Sequence, residues 1–288
     1  MNTARNPDDQ PLLSLNGLGK SFDPFHLEDL DLEVRAGQVV GLVGANGAGK
    51  TTAIGCALGM LRPDRGTVHL IDKQWIGVVL DTPPYLPTWT VAEVELALAP
   101  FYPRWNRSTF ARLADRAGLS TSSQVGSLSR GMALRLQLAV ALSHDARLLI
   151  LDEPTSGVDP VGRCELLDEL AGFMLHEDHG ILFSTHITAD LERIADRVVV
   201  LAHGRMVAAG DTPEILDAFR MVHGGLGELP DPLRGMVHGL REHSVGWAGV
   251  MATPDTVHLS GACVVEEPTL DELVRHLSSL DAPVASHG

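Results

Sequence analysis

The 288-residue sequence is poor in several things, and each scarcity excludes a class of protein. There are three cysteines, Cys56, Cys164 and Cys263, an odd and widely spaced set without a CxxC pair. That excludes a disulfide scaffold, and the expectation is small buried or half-buried thiols in a reducing compartment. No run of about 18 apolar residues occurs, so no membrane-spanning helix is expected. The polar start MNTARNPDDQ lacks the apolar stretch of a signal peptide. Basic charge is scarce too: 22 Lys and Arg against 37 Asp and Glu leave a net charge of −15. Such a chain lacks the broad positive field that gripping nucleic-acid phosphates or an anionic lipid surface demands. A cytoplasmic globular protein is expected, with no nucleic-acid partner. At 44% hydrophobic residues and this length, about two domains with a real core are expected.

Hydrophobic patterning supplies an order of elements. Leu13 with Leu15, then Leu30, Leu32 and Val34, alternate with polar residues as short antiparallel strands do. Val39–Val43 is a continuous apolar run suited to a strand buried on both faces. A helix follows from Lys50 to about Leu61, stopped by Arg62-Pro63. Leu148–Leu151 and Ile181–Phe183 are two more buried strands, each followed by turn residues and helical pattern. Strands alternating with helices predict an α/β fold with a mostly parallel sheet. Between them, residues 83–142 read as inserted helices at Val91–Leu98, Ser108–Ala117 and Met132–Leu142. After Arg197–Leu201, His203-Gly204 marks a hairpin, and Asp211-Thr212-Pro213 starts a helix. The rest has weak strand patterns and a closing helix at Leu270–Leu277. The predicted domains are residues 12–210, with the helical insertion inside them, and an accessory region at 211–288.

Gly44-Ala45-Asn46-Gly47-Ala48-Gly49-Lys50-Thr51 carries the strongest chemistry. It is a complete G-x-x-x-x-G-K-[ST] loop standing between a buried strand and a helix. Its glycines let backbone N–H groups converge on phosphates at a helix N-terminus. Lys50 neutralises β- and γ-phosphate charge, and the Thr51 hydroxyl, with Thr52 beside it, suits a Mg²⁺-nucleotide. The run Leu148–Asp152 ends on a carboxylate and is followed at once by Glu153. A strand-terminal Asp suits Mg²⁺, and the adjacent Glu suits a general base acting on water. An apolar run ending in Asp-Glu is common in structural roles, and it gains weight here from the phosphate loop. The pairs His176 with His179 and His238 with His243 lack the carboxylate or thiol set of a metal site, and solvated surface histidines are expected.

Residues 12 to about 208 resemble the nucleotide-binding subunit of an ATP-binding-cassette (ABC) transporter. The resemblance rests on Leu128-Ser129-Arg130-Gly131-Met132, similar to the family's LSGGQ signature, and on the order of the motifs. Phosphate loop, signature, Leu148–Pro154, Ser156-Gly157-Val158-Asp159-Pro160 and a strand ending in His186 follow one another as in that family. It implies a P-loop NTPase fold with a RecA-like, mostly parallel sheet, an antiparallel β subdomain and a helical insertion. It also implies ATP and Mg²⁺ as ligands and Glu153 as catalytic base. By the same resemblance His186 contacts the γ-phosphate and holds Glu153, and Ser129 and Gly131 face the phosphate loop of a second subunit. Asp159 is implied to reach the opposite loop in that dimer. Phe22 is the best match for the aromatic that stacks on adenine, with Phe25 its close rival. The family's usual glutamine corresponds to Asp81, a carboxylate able to bind Mg²⁺ directly or through water but with a shorter reach. Arg130 and Met132 stand where the family has Gly and Gln. The stretch from Gly66 to Ile76 is short, so part of a hairpin is expected to be missing.

Phe101-Tyr102-Pro103-Arg104-Trp105 and the signature variant are similar to ATPases of bacterial drug or antimicrobial-peptide exporters. The implied assembly is a homodimer or heterodimer of ATPase subunits with a separate membrane-spanning permease docked near Pro83–Trp105. The chain would then sit peripherally at the inner face of the cell membrane. The alternative is a soluble ABC ATPase that acts on a macromolecular partner without a channel. Those resembling translation factors carry two cassettes, and repair ATPases carry a coiled-coil insertion. This sequence has one cassette and no heptad run. Residues after Asp231 are expected to form either a regulatory or dimer-packing element or a stabilising tail.

Overall fold

A computed structural model describes residues 10–259, 261 and 263–279. The accessory region read from the sequence extends beyond it, since residues 280–288 lie outside the described residues. Two nine-residue strands open the fold, β1 (Leu13–Ser21) and β2 (His26–Val34), paired antiparallel. β2 alternates buried and exposed positions from Leu30 to Val34, as one solvated face requires. Both are longer than the expected short strands, because pairing continues through two register shifts in β1. β3 (Val39–Val43) is buried at every position. The helix after it, α1 (Lys50–Ala57), ends earlier than Leu61. Gly59 adopts φ +72 and terminates it, so Pro63 plays no part in the stop. β4 (Arg65–Leu70) pairs antiparallel with β1, and the chain then goes by a single 3₁₀ turn at Lys73–Trp75 to β5 (Ile76–Val79). Among the described residues β4 is the edge strand of its sheet, with β1 its one neighbour.

The helical insertion comprises α2 (Val91–Leu98), α3 (Arg107–Arg116) and α4 (Arg130–Leu142). Each begins at a side-chain cap, Thr90, Asn106 and Ser129 respectively. They bury their own cluster, with Val91, Val94, Phe110 and Leu136 at its centre. The chain returns to the sheet with β6 (Leu148–Asp152), α5 (Pro160–Phe173), β7 (Gly180–Thr185) and α6 (Thr188–Ile194). β8 (Arg197–Ala202) and β9 (Arg205–Asp211) form a hairpin whose two turn residues, His203 and Gly204, both have positive φ. That pair of conformations fits a hairpin turn matched to strand twist. One nine-stranded sheet results, in the order β4-β1-β2-β9-β8-β3-β7-β6-β5. Its five strands from β8 to β5 are parallel. All of their carboxyl ends therefore open on one edge, where α/β sheets bind ligands.

The C-terminal segment is more regular than its weak patterns suggested. After α7 (Thr212–Ala218) come β10 (Phe219–Gly224), α8 (Asp231–Arg234), β11 (Val237–His243), β12 (Gly246–Ala252) and β13 (Val264–Glu266). The four strands form a second, antiparallel sheet, β11-β12-β10-β13. The closing helix α9 (Leu270–Leu277) starts in a capping box at Thr269 and Glu272. Its Leu270, Leu273 and Leu277 join the same apolar cluster as Phe183 and Leu191 of the large sheet's layer. No helix among the described residues is long and apolar enough to cross a membrane. Of the three cysteines, Cys56 is buried and Cys263 half-buried, whereas Cys164 is exposed on α5, contrary to expectation.

Candidate functional site

The loop from Gly44 to Gly49 leaves the end of β3 and runs into α1. Gly44 is confined by chain packing: a Cβ there would lie 2.3 Å from the Leu201 carbonyl oxygen and 3.0 Å from the Ala48 Cβ. Gly47 and Gly49 have φ of +81 and +111, conformations that side chains oppose. Ala45 and Asn46 are exposed at the tip, and Ala48 is buried against the core. Lys50 is almost wholly buried, and its ammonium donates to the carbonyls of Gly44 at 2.7 Å and Ala45 at 3.3 Å. The same ammonium lies 3.1 Å from Oε1 of Glu153.

Asp152 ends β6 directly beside Ser184 of β7, its partner in the strand register. Thr51 donates its hydroxyl proton to Oδ2 of Asp152 at 2.8 Å, and Ser184 donates to Oδ1 at 3.0 Å. Burial pushes the Asp152 carboxyl up from its ordinary value, and the hydrogen bonds from Thr51 and Ser184 oppose that rise. Thr51 and Asp152 thus offer hard oxygen donors side by side, a set that fits Mg²⁺. Among the described residues no cluster of three His, Cys, Asp or Glu could hold a metal unaided, so such an ion would share its coordination with phosphate and water. Glu153 follows in the left-handed region, φ +53, a conformation that costs about 1–3 kcal/mol at a non-glycine residue. That turn directs its carboxylate away from the strand and toward Lys50 on one side and His186 on the other. His186 Nδ1 lies 2.7 Å from Oε2 of Glu153, and its backbone N–H donates to the same oxygen at 3.3 Å.

These groups line one cleft of about 570 Å³, shared by Lys50, Thr51, Thr52, Asp81, Glu153 and His186. The structure therefore brings Lys50 and His186 together across 136 positions of sequence. Phe22 is not among the lining residues. It points outward, 42% exposed, under the Lys20 ammonium. Phe25 lines the cleft instead, its ring tip 2.9 Å from where a Cβ on Gly49 would lie. The reason is the tight turn between β1 and β2, closed by Phe22 N–H donating to the Phe25 carbonyl at 2.7 Å, which sends the two rings to opposite sides. Of the two aromatics the sequence offered, Phe25 is thus the one at the cleft.

Ser129, Gly131 and Asp159 are not brought into the cleft. Ser129 caps α4 by accepting the Met132 N–H, and Asp159 caps α5 by accepting those of Val161 and Gly162. Those backbone bonds hold the Asp159 carboxyl below its usual value. Ser129 and Asp159 are exposed. Asp81 reaches across the cleft mouth to Arg130, with which it forms an ion pair. Ser184 carries no sequence signal of its own, and nothing in the sequence links Arg130 to Asp81. Ser184 becomes legible only once β6 and β7 are aligned, and Arg130 only once α4 is folded back over the sheet. His179 departs from the expectation of a solvated histidine: it is stacked on Phe173 and bonded to that residue's carbonyl oxygen at 2.8 Å.

A family model described as ABC transporter matches residues 27–156. An ABC transporter ATP-binding protein of Bacillus subtilis is 31% identical over 212 residues, covering 69% of this chain and 69% of its own length. A Nod factor export ATP-binding protein I of Bradyrhizobium diazoefficiens is 36% identical over 225 residues, covering 71% of this chain and 72% of its own. Among solved structures, an ATP-binding subunit of an ABC transporter superposes with a TM-score of 0.63 at 29% identity, covering 71% of this chain and 91% of that one. CbiO1 of Clostridium perfringens, part of the ABC transporter complex CbiONQ, superposes with a TM-score of 0.59 at 25% identity, covering 72% and 91%.

Proposed function

This chain belongs to the ABC transporter ATP-binding family, whose members hydrolyse ATP, and from that premise we propose that it powers export through a separate membrane-spanning subunit. The observation that carries the catalytic part is the position of Glu153, gripped between Lys50 and His186 at the carboxyl edge of the parallel strands. Glu153 is the general base that takes a proton from the attacking water. His186 holds the Glu153 carboxylate in place through its backbone N–H and the Nδ1 contact to Oε2, and its ring lines the cleft where the γ-phosphate would lie. The Lys50 ammonium neutralises β- and γ-phosphate charge, and the backbone N–H groups of Gly44–Gly49 cradle the same oxygens. Phe25 offers its ring to the adenine. Thr51 and Asp152 would hold Mg²⁺, with Asp81 as a further carboxylate at the cleft mouth. When bound, that ion neutralises the charge that develops on the phosphates.

Two subunits close around two ATP molecules, with the exposed Ser129 and Asp159 and the half-buried Gly131 of one meeting the phosphate loop of the other. Closure moves the helical insertion, residues 83–142, and with it the permease docked near Pro83–Trp105. The assigned units are a cassette over residues 12–210 and an accessory region from 211 onward. Export is favoured by the similarity to proteins named for Nod factor export, and the chain then lies at the inner membrane face. Affinity purification of the native complex from solubilised membranes tests the assembly. A multispanning membrane protein is expected in the eluate, and its repeated absence would refute the transporter role.

A further inference from the structure

Both cations lining the nucleotide cleft are held by carboxylates of their own chain: Lys50 by Glu153, and Arg130 by Asp81. Arg130 is the first residue of α4, where the positive end of the helix dipole disfavours a cation. A compensating anion is therefore needed there, and Asp81, just beyond the end of β5, supplies it from across the cleft mouth. The pair is about half exposed on each side, 49% and 51%, so it adds little to stability. Its placement is nonetheless well defined. The Arg130 stem lies over Gly157, where a Cβ would come within 3.1 Å of Cδ, and Gly157 at φ +72 keeps that groove open.

We propose that Arg130 is a second phosphate-binding cation of the chain's own nucleotide site, restrained by Asp81 and transferred to a triphosphate when ATP binds. It rests on the nucleotide-site reading above and adds a residue to it. The exchange is of the same kind at both cations: a phosphate oxygen replaces a carboxylate oxygen, first on Lys50 and then on Arg130. Guanidinium suits this, because its planar fork of donors matches carboxylate and phosphate alike. Asp81 opposes binding in this scheme, as competitor for Arg130 and as a negative charge facing the nucleotide.

The test is equilibrium binding of ATP and of AMP to the full chain in EDTA, free of divalent metal. Arg130→Gln is expected to weaken ATP binding about tenfold, the worth of one charge-assisted hydrogen bond, and to leave AMP binding unchanged. Asp81→Asn is expected to tighten ATP binding about threefold by removing a like charge. Arg130→Lys restores part of the lost affinity. If the pair only braces the cleft, both substitutions break the same brace and shift affinity in the same direction, and that result overturns the proposal. So does an Arg130→Gln chain that binds ATP as the parent does. If the parent chain binds ATP only as weakly as AMP, the triphosphate site itself fails, and the proposal with it. Thermal melts of the variants, expected within about 2 °C of the parent for so exposed a pair, separate these results from misfolding.

Discussion

Acidification is expected to loosen the seam between the helical insertion and the sheet, and His144 sets the size of the effect. This residue lies between α4 and β6, 2% exposed, with its ring stacked on Tyr102 at 4.0 Å and 15°. Beside it the Asn106 N–H donates to the Ser143 carbonyl at 2.6 Å, and the Arg104 and Arg147 guanidinium groups both lie over the Trp75 ring. Burial pushes the His144 imidazole from 6.5 down to about 4. In the unfolded chain it returns to its ordinary value, so between pH 6.5 and 4 the unfolded state binds more protons than the folded one. Its contribution is therefore fully present above pH 6.5 and declines as pH falls through that window. The loss is about 2 kcal/mol by pH 5 and about 3 kcal/mol near pH 4. Urea unfolding at pH 7.5 and pH 5.0 compares the parent with His144→Phe, which keeps a ring against Tyr102 and cannot titrate. Burial also lowers His179 and His276, and these act alike in both proteins, cancelling in the comparison. The parent should lose about 2 kcal/mol more than the variant on going to pH 5. Equal losses would refute the argument.

Two further outcomes follow from placement. Phe25→Ala should weaken ATP binding by about 1–3 kcal/mol, the worth of a base on an aromatic face, whereas Phe22→Ala should leave it unchanged; titration of both variants with ATP distinguishes them. Leu273→Ala removes a fully buried side chain from α9 and should cost about 2–5 kcal/mol in chemical denaturation. Because α9 is pinned to α6 by Glu192 accepting the Leu270 N–H and by Thr188 donating to Asp271, amide exchange in α6 should rise in the same variant.

What the sequence disclosed and what it hid divide along physical lines. The phosphate loop and the Asp152-Glu153 pair were legible because their chemistry is written in contiguous residues between one strand and one helix. Strands β3, β6 and β7 were legible because burial on both faces leaves an unbroken apolar run. The helix α9 was found to the residue, since its cap and its amphipathic face are both local. The early end of α1 was missed because proline was read as the stop while Gly59 had already supplied it. Phe22 and Phe25 differ only in how a tight turn aims them, which spacing does not reveal. The Asp81–Arg130 pair spans 49 positions, and no local pattern links a strand end to a helix start that far away. The second sheet was hidden for a related reason: β11 is largely exposed or half-buried and β13 is exposed throughout, too many open positions to alternate cleanly.

The central claim is that Glu153, held in place by His186, is the base for ATP hydrolysis. Glu153→Gln keeps the shape of the side chain and removes its ability to take a proton. Steady-state ATP turnover of the purified variant should fall by about 100- to 10,000-fold, with ATP binding retained. Turnover equal to that of the parent would contradict the account.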